Sequence, residues 1–511
     1  MRNAKQTLWK QLFELPDEPA LPLQARLRTA VVREILNGRL SEGTALPSSR
    51  DLAQLTGLSR NTVSAAYRQL VDENFLVARP RSGIFVAAGA RQATAGPPAL
   101  HAADDGRAVA PDGVAPDWKA RMRRSLRGRP TLSKPEGWGS YAYPFVYGRL
   151  DQRLFPIEEF RECFTRSLTR ARLDQWASDF EADEVPELIE QIRLRVLPKR
   201  GVFALPEEIV VTVGAQQAFH LLAEALLDQR TRLGFEEPGY PHARNCFALR
   251  DPEMLRVPVD DHGVVVDGLP TLDYVFVTPS QHSPTTVTLS LERRQALLAK
   301  AQADGFVVIE DDYEAENLYG GTPMPALKSM DRSGHVIYVG SLSKSLSPAL
   351  RLGYIVASRQ LAAELRLLRH AVLRHPSAFL QNAYALFLSL GHHESHARRV
   401  NQAMQERTRL AAAGLQRHLP DFEFTMPQGG ASIWVRAPAW VDSTELAAAA
   451  RAQGVLIEPG DVFFAAPPRP CPYFRLRLSS IDPAKIDAGV AALGQAVREL
   501  SRARSEPSQR R

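Results

Sequence analysis

The sequence predicts two folded units of different class. One is a small helical module closed by a β-hairpin at residues 20–89. The other is a large α/β domain with a parallel sheet at residues 117–500. Three observations predict this division. Residues 20–89 carry apolar residues at helical spacing and end in a short β-patterned piece. Residues 90–116, ARQATAGPPALHAADDGRAVAPDGVAP, hold almost no large apolar side chain, so they cannot bury a core and form a linker. Residues 117–500 alternate continuous apolar runs with helix-like sequence, as strands buried on both faces of a parallel sheet do.

Composition sets the outer bounds. A chain of 511 residues, 44% hydrophobic and 23% charged, has ample core material, and at about 150 residues per domain it holds two to four domains. Cys163, Cys246 and Cys471 lie far apart, which fits a reducing compartment and neither a disulfide framework nor a metal site. No apolar run approaches the roughly 18–20 residues of a membrane span. The start, MRNAKQTLWKQL, lacks the apolar core of a signal peptide. The expectation is a cytoplasmic protein with no membrane contact. The tail, 501–511, is expected to be disordered.

In the small module, Leu23, Leu27, Val31 and Ile35 recur every four residues and form one apolar helix face, closed by Gly38. Ser48 with Asp51 three residues later is a capping-box pattern, and Gly57 is a natural stop. Ser59 then caps a third helix, whose buried face is Val63, Tyr67 and Leu70. Two helices joined by TGLS fit a helix-turn-helix. FLVARPRSGIFVA follows as two short strands around a turn, a wing. Between residues 21 and 91 there are ten Arg and five acids, so this segment holds most of the net charge of +6. A basic helix-turn-helix points to double-stranded DNA. Arg60, Asn61 and Thr62 open the second helix of the pair, where a recognition helix meets base edges. Arg50, Arg79 and Arg81 are placed for phosphates. GTALPSSRDLAQLTGLSRNTVSAAYRQLVDENFLVARPRSGIFV resembles the winged helix of the GntR family. It departs at Asn74, where Gly is usual but Asn tolerates a left-handed backbone, and at Glu42, where Pro is common and the change is expected to matter little.

In the large domain, the strand-like runs are EIVVTVG (208–214), YVFVTPS (274–280), FVVIEDD (306–312) and VIYVGSLS (336–343). Ligands of open α/β sheets bind beyond the C-terminal ends of such strands. GAQQAFHLL follows the first, a helix start with free backbone N–H groups for a phosphate. Asp311, Asp312 and Tyr313 close the third. Ser341, Ser343 and Lys344 close the fourth, with Arg351 beyond. An amine, a carboxylate, hydroxyls and a guanidinium at one sheet edge suit pyridoxal 5′-phosphate.

Over roughly 140–500 the chain resembles the fold-type I aminotransferases. SLSKSLSPALRLGY is similar to their cofactor-lysine motif and VVIEDDYEAE to their pyridine-nitrogen motif. The resemblance implies that Lys344 carries the cofactor as a Schiff base, that Asp311 pairs with the ring nitrogen and that Tyr313 reaches the ring hydroxyl. It implies that Ser341, Ser343, Arg351 and the backbone at Ala215 and Gln216 hold the phosphate, and that Tyr240 in EEPGYP stacks on the ring. Arg475 in YFRLRLSS would anchor a ligand carboxylate. Arg477 is the competing anchor and is expected on the opposite face of the strand. The stretch TPSQHSPTTVT (278–288) departs from the usual NPTG. Ser283 takes the Asn position and Thr286 the Gly position, which points away from efficient transamination. Gln281–His282 stands in reverse order to the His-Gln common in related regulators.

A winged helix, a linker and an aminotransferase-like domain together resemble the MocR subfamily of GntR regulators. The resemblance implies a transcriptional regulator with pyridoxal phosphate in its sensor, and a head-to-tail homodimer. The effector expected is a small amino compound bearing a carboxylate, which replaces Lys344 at the cofactor as an external aldimine. Two rival readings are an active aminotransferase with an accessory DNA-binding domain, and a DNA-binding module whose large domain only dimerises. The stretch WKARMRRSLRGRPTLSKP (118–135) has seven basic residues and no acid. It is either a DNA-facing segment or a solvated flank.

Overall fold

The computed structural model describes residues 9, 12, 13, 15, 21–80, 82–90, 116–148, 150–177, 184–314, 316, 319, 324–342, 344 and 346–505. Linker residues 91–115, Arg81, Ser343 and tail residues 506–511 lie outside the described residues. Contacts divide the chain into two units, Met1–Arg121 and Met122–Arg511.

In the first unit, α1 (Leu23–Leu36), α2 (Ser49–Thr56) and α3 (Arg60–Asp72) precede a hairpin of β1 (Leu76–Arg79) and β2 (Gly83–Val86). Local chemistry sets the ends. The Ser48 hydroxyl accepts the Asp51 N–H and donates to the Asp51 carboxylate, and Ser59 accepts the Thr62 N–H at 3.1 Å. Gly57 leaves α2 at φ +73°, and Asn74 sits at φ +60°, the left-handed backbone that Asn tolerates. Leu27, Val31 and Ile35 pack with Leu52, Val63, Tyr67, Leu70 and Val86. Leu23, expected on that face, is exposed. A strict four-residue repeat rotates about 40° per step around a 3.6-residue helix, so its first member leaves the stripe. Glu42, expected to be incidental, accepts the Gly89 N–H at 2.7 Å and ties the end of the wing to the loop after α1.

In the second unit, β3 (Tyr143–Pro144) comes first. The main sheet then uses β4 (Ile209–Thr212), β5 (Arg232–Glu237), β6 (Glu253–Asp260), β7 (Gly263–Val264), β8 (Tyr274–Val277), β9 (Val307–Asp312), β10 (Val336–Ser341) and β11 (Gly353–Val356). Their order is β4-β11-β10-β9-β8-β5-β6-β7. The strands from β10 through β6 are parallel, but β11 runs antiparallel to both of its neighbours and β7 to β6. The sheet is therefore mixed rather than parallel throughout. Alternate residues of one strand enter different cores. Ile337 and Val339 join Phe219, Phe276 and Ile309, while Tyr338 joins Ile209, Val211 and Leu388. Burial on both faces is why these strands read as unbroken apolar runs.

Three helices matter for the site. The helix α4 (Gly214–Leu226) follows β4, α5 (Pro241–Phe247) follows β5, and α6 (Pro483–Ser505) ends the described chain. The tail expectation is corrected there, because residues 501–505 continue α6 as helix. A second antiparallel sheet has the order β12 (Glu423–Phe424), β13 (Ser432–Arg436), β16 (Tyr473–Arg477), β15 (Glu458–Pro459). The short strand β14 (Val455–Leu456) pairs with β3 and draws the start of this unit onto that subdomain.

Candidate cofactor and effector site

Beyond the C-terminal edge of the main sheet, the second unit encloses a cavity of about 310 Å³. Lys344, Asp311, Tyr313, Tyr240, Ala215, Gln216, Ser341, Arg351, Ser283 and Arg475, all singled out in the sequence, line it. Ser343 is the one cofactor candidate outside the described residues.

One end of the cavity is built for an anion. The helix α4 starts there at Gly214, whose φ is +72°. A Cβ at Gly214 would come 3.0 Å from the Arg351 guanidinium, so only a bare Cα admits the arginine beside the free N–H groups of the first turn. Arg351 donates to the Val213 carbonyl at 3.1 Å and itself has φ +53°. Guanidinium, helix N-terminus and the Ser341 hydroxyl together suit a phosphate.

The floor carries a carboxylate and an amine. The last residues of β9 alternate: Asp311 faces the cavity, while Asp312 points to the opposite face. There Asp312 pairs with Arg200 and accepts from the Tyr338 hydroxyl, both at 2.8 Å. Asp311 is 3% exposed and its Oδ1 has no hydrogen-bond partner among the described residues. Burial pushes its carboxyl up to about 8, against the opposing pull of Lys344. Burial, then Arg477, lowers the Lys344 ammonium to about 8, while Glu314 works the other way. The Lys344 Nζ lies 4.9 Å from the Tyr313 ring centroid, 4.7 Å from that of Tyr147 and 4.0 Å from Glu314 Oε1. Burial raises the Tyr240 and Tyr313 hydroxyls, so both stay protonated donors.

Ser283 reaches the cavity on a braced loop. The Thr278 hydroxyl accepts the Ser283 N–H at 3.1 Å and donates to Glu236 at 2.8 Å. Arg294 donates to the carbonyls of Pro279 and Leu289, clamping both ends. Thr286 holds φ +66°, a conformation costly for a β-branched residue. This fits its expected correspondence to a glycine.

The opposite wall comes from the second sheet. Arg475 and Arg477 both line the cavity. The expectation that Arg477 faces away is corrected, because residues two apart on a strand share a face. Arg475 Nε donates to Glu458 Oε2 at 2.6 Å. Glu458 also accepts the Tyr147 N–H at 2.8 Å. Arg477 lies 3.7 Å from Glu314, and its buried Nε has no hydrogen-bond partner among the described residues. Tyr147, Glu458, Glu314, His242 and Lys134 were not singled out as site residues. Tyr147 and Glu458 are separated by 311 residues, and no local spacing could have joined them.

In the first unit, Arg50, Arg60 and Asn61 are exposed at the starts of α2 and α3. Thr62 is half-buried, with its hydroxyl 2.8 Å from that of Ser59. Arg79 is exposed on the wing with its guanidinium 4.7 Å over the Phe85 ring. Among the described residues no helix is long and apolar enough to cross a membrane.

Comparison with known proteins agrees with this division. The family "Aminotransferase class I and II" matches residues 178–493, and "Bacterial regulatory proteins, gntR family" matches 23–86. The chain is 41% identical over 480 residues to the HTH-type transcriptional regulator TauR of Rhodobacter capsulatus, covering 93% of this chain and 96% of that protein. It is 31% identical over 505 residues to the probable rhizopine catabolism regulatory protein MocR of Rhizobium meliloti, covering 98% of each. Among solved structures, α-aminoadipate aminotransferase LysN of Thermus thermophilus, complexed with N-(5′-phosphopyridoxyl)-L-leucine, superposes at TM-score 0.68 with 28% identity, over 76% of this chain and 99% of that one. Kynurenine aminotransferase of Pyrococcus horikoshii, complexed with PMP, gives 0.65 and 26%, over 70% and 90%. Pyridoxal phosphate fits the cavity's own chemistry, with an anion cradle at one end, a buried carboxylate with one oxygen free of hydrogen bonds among the described residues, and a nearby lysine.

Proposed function

Because the chain belongs to the MocR-type GntR regulators, in which a winged helix precedes an aminotransferase domain, we propose that it binds promoter DNA and senses a small amino compound through pyridoxal phosphate held at Lys344. The observation that carries this reading is the buried Asp311, whose Oδ1 lacks a hydrogen-bond partner among the described residues, in the same cavity as Lys344. When bound, the cofactor supplies an aldehyde for amines and a ring that draws electrons once its nitrogen is protonated.

The protein's own groups divide the work. Lys344 is the covalent attachment point, and an ammonium lowered to about 8 gives up its proton readily near neutral pH. Asp311 keeps a proton on the ring nitrogen. Tyr313 and Ser283 serve the ring hydroxyl, and Tyr240 covers the ring face. Ser341, Ser343, Arg351 and the N–H groups at Ala215 and Gln216 hold the phosphate. A Lys344 ammonium not bound to the cofactor would have Glu314 Oε1 4.0 Å away as its acidic neighbour. Arg475, oriented by Glu458, takes the ligand's carboxylate.

In the first unit, Arg60 and Asn61 read base edges, Thr62 helps fix the start of the reading helix, and Arg50, Arg79 and Arg81 hold phosphates. Effector binding shifts the balance between two states of a head-to-tail homodimer that differ in promoter affinity.

The test is spectroscopic. Purified full-length chain loaded with pyridoxal phosphate absorbs near the visible edge, and a panel of amines and amino acids includes at least one that shifts this band. In Lys344→Ala the band and the shift are lost. An unchanged band and an unchanged effector response in that variant would refute the assignment. Turnover of amino donor and keto acid by the wild type would favour the rival enzyme reading instead.

A further inference from the structure

A single stretch of chain runs from the linker into the cavity. Residues 130–138 cross its mouth, with Leu132, Ser133 and Lys134 in the lining. Both ends of this strap are fixed. At one end the Pro130 carbonyl accepts from Asn245 Nδ2, on α5, at 2.8 Å. At the other, the Trp138 ring lies on the bare Cα of Gly148, where a Cβ would come within 2.2 Å of the indole. Between them lies Lys134, an exposed residue whose ammonium is 4.8 Å from the Trp138 ring centroid and 5.8 Å from that of Tyr147.

The cavity's charges do not balance without a ligand group. Five cations line it: Lys134, Lys344, Arg351, Arg475 and Arg477. Arg475 is paired with Glu458, and Arg477 lies beside Glu314. Asp311 faces Lys344 across the floor, and Arg351 belongs to the anion end. Lys134 is left over. Among the described residues it makes no ion pair within 4 Å; its ammonium rests against two aromatic rings and feels the field of Glu458, which is already paired with Arg475. The same Tyr147 ring carries Lys344 and Arg477 at 4.7 and 5.4 Å. Lys134 thus stands at the mouth, on the aromatic residue that both inner cations touch.

We propose that Lys134 is an effector-binding residue, whose ammonium takes the anionic group of the amino compound at the mouth of the cavity, in front of Arg475 and Arg477. This rests on the reading of the cavity as the effector site. The ligand class that follows is a small amine with an acidic group at the far end of its chain, since the amine is directed to the cofactor end and Lys134 joins Arg475 in holding the acid. The contact also places the ligand directly against the segment that continues, through Arg129, Arg127 and Arg124, into the linker. The basic stretch 118–135 therefore contains a ligand contact at its end, which neither the DNA-facing nor the solvated reading includes.

The test uses paired probes on the full chain. N-(5′-phosphopyridoxyl)-β-alanine and N-(5′-phosphopyridoxyl)propylamine differ in a carboxylate against a methyl group, and both compete with pyridoxal phosphate. The 4-aminobutanoate and butylamine adducts extend the series by one carbon. In the wild type the acid adduct binds more tightly than its amine partner. Lys134→Met lowers that ratio about fivefold, the scale of one partly exposed ion pair, and Lys134→Arg keeps it. Amide hydrogen exchange across 130–138 slows with the acid adduct and not with the amine adduct. A wild type without acid preference, or the same ratio in Lys134→Met, overturns the proposal while leaving the cofactor assignment standing. If neither kind of adduct displaces pyridoxal phosphate from the wild type, the cofactor-site reading fails as well.

Discussion

Asp311 shows how a single residue trades stability for a site. A carboxyl buried without a hydrogen-bond partner on Oδ1 is costly to ionise, and burial raises it to about 8. An unfolded aspartate releases its proton near pH 4. Between those values the folded cofactor-free chain binds more protons than the unfolded chain, so this group's contribution to stability falls as pH rises. Asp311→Asn removes that slope. The expected outcome is a thermal midpoint for the cofactor-free variant that gains on the wild type from pH 5 to pH 8, by at most about 1.4 kcal/mol per unit. A pH-independent difference would contradict the account. The same variant loses affinity for pyridoxal phosphate in an absorbance titration, because Asn cannot stabilise a protonated ring nitrogen by charge. Arg475 and Arg477 make a second point at this scale. Two guanidiniums two residues apart share one wall, each beside a carboxylate, Glu458 for Arg475 and Glu314 for Arg477.

At the scale of elements, caps and burial explain most of what is built. Ser59 fixes the start of α3 by accepting the Thr62 N–H, so Arg60 and Asn61 project from a defined first turn. Ser59→Ala is expected to cost about 1 kcal/mol of stability, read as a lower denaturant midpoint. Substitutions on α3 and on the wing should separate in DNA binding. Asn61→Ala relaxes discrimination at one base position, whereas Arg79→Ala weakens all sequences alike and reduces the salt slope by about one. An equal effect of Arg79→Ala on the salt slope and on base preference would contradict the division of roles.

The elements legible in the sequence were those with strong local chemistry: the caps at Ser48 and Ser59, the stop at Gly57, and the four runs that became β4, β8, β9 and β10. Others were not legible for physical reasons. The strand β11 is as apolar as its neighbours, and its antiparallel direction shows only in its pairing with β10, where Tyr338 lies opposite Val356 and Ser341 opposite Gly353. Tyr147 and Glu458 meet only because β3 pairs with β14, more than 300 residues away in sequence. The face of Arg477 was legible from the two-residue period of a strand. Leu23 was misassigned by taking a four-residue repeat as a straight stripe.

For the whole molecule, the two units carry different physics. Residues 21–91 hold ten Arg against five acids and so most of the net charge of +6, while the second unit holds the cavity and the large cores. The path between them in sequence runs from the wing through 91–115 to the strap at 130–138. A ligand that touches Lys134 acts on the end of that path, so the account joins cavity to DNA through chain connectivity. The direct measurement is the affinity of the full-length protein for DNA selected from a random pool by the wild type. It is taken with and without pyridoxal phosphate, and with each amine that shifts the cofactor band, in wild type and Lys344→Ala. The account predicts that such an amine changes DNA affinity in the cofactor-loaded wild type and has no effect in Lys344→Ala. Equal DNA affinity in every condition, or the same amine response in Lys344→Ala, would contradict it.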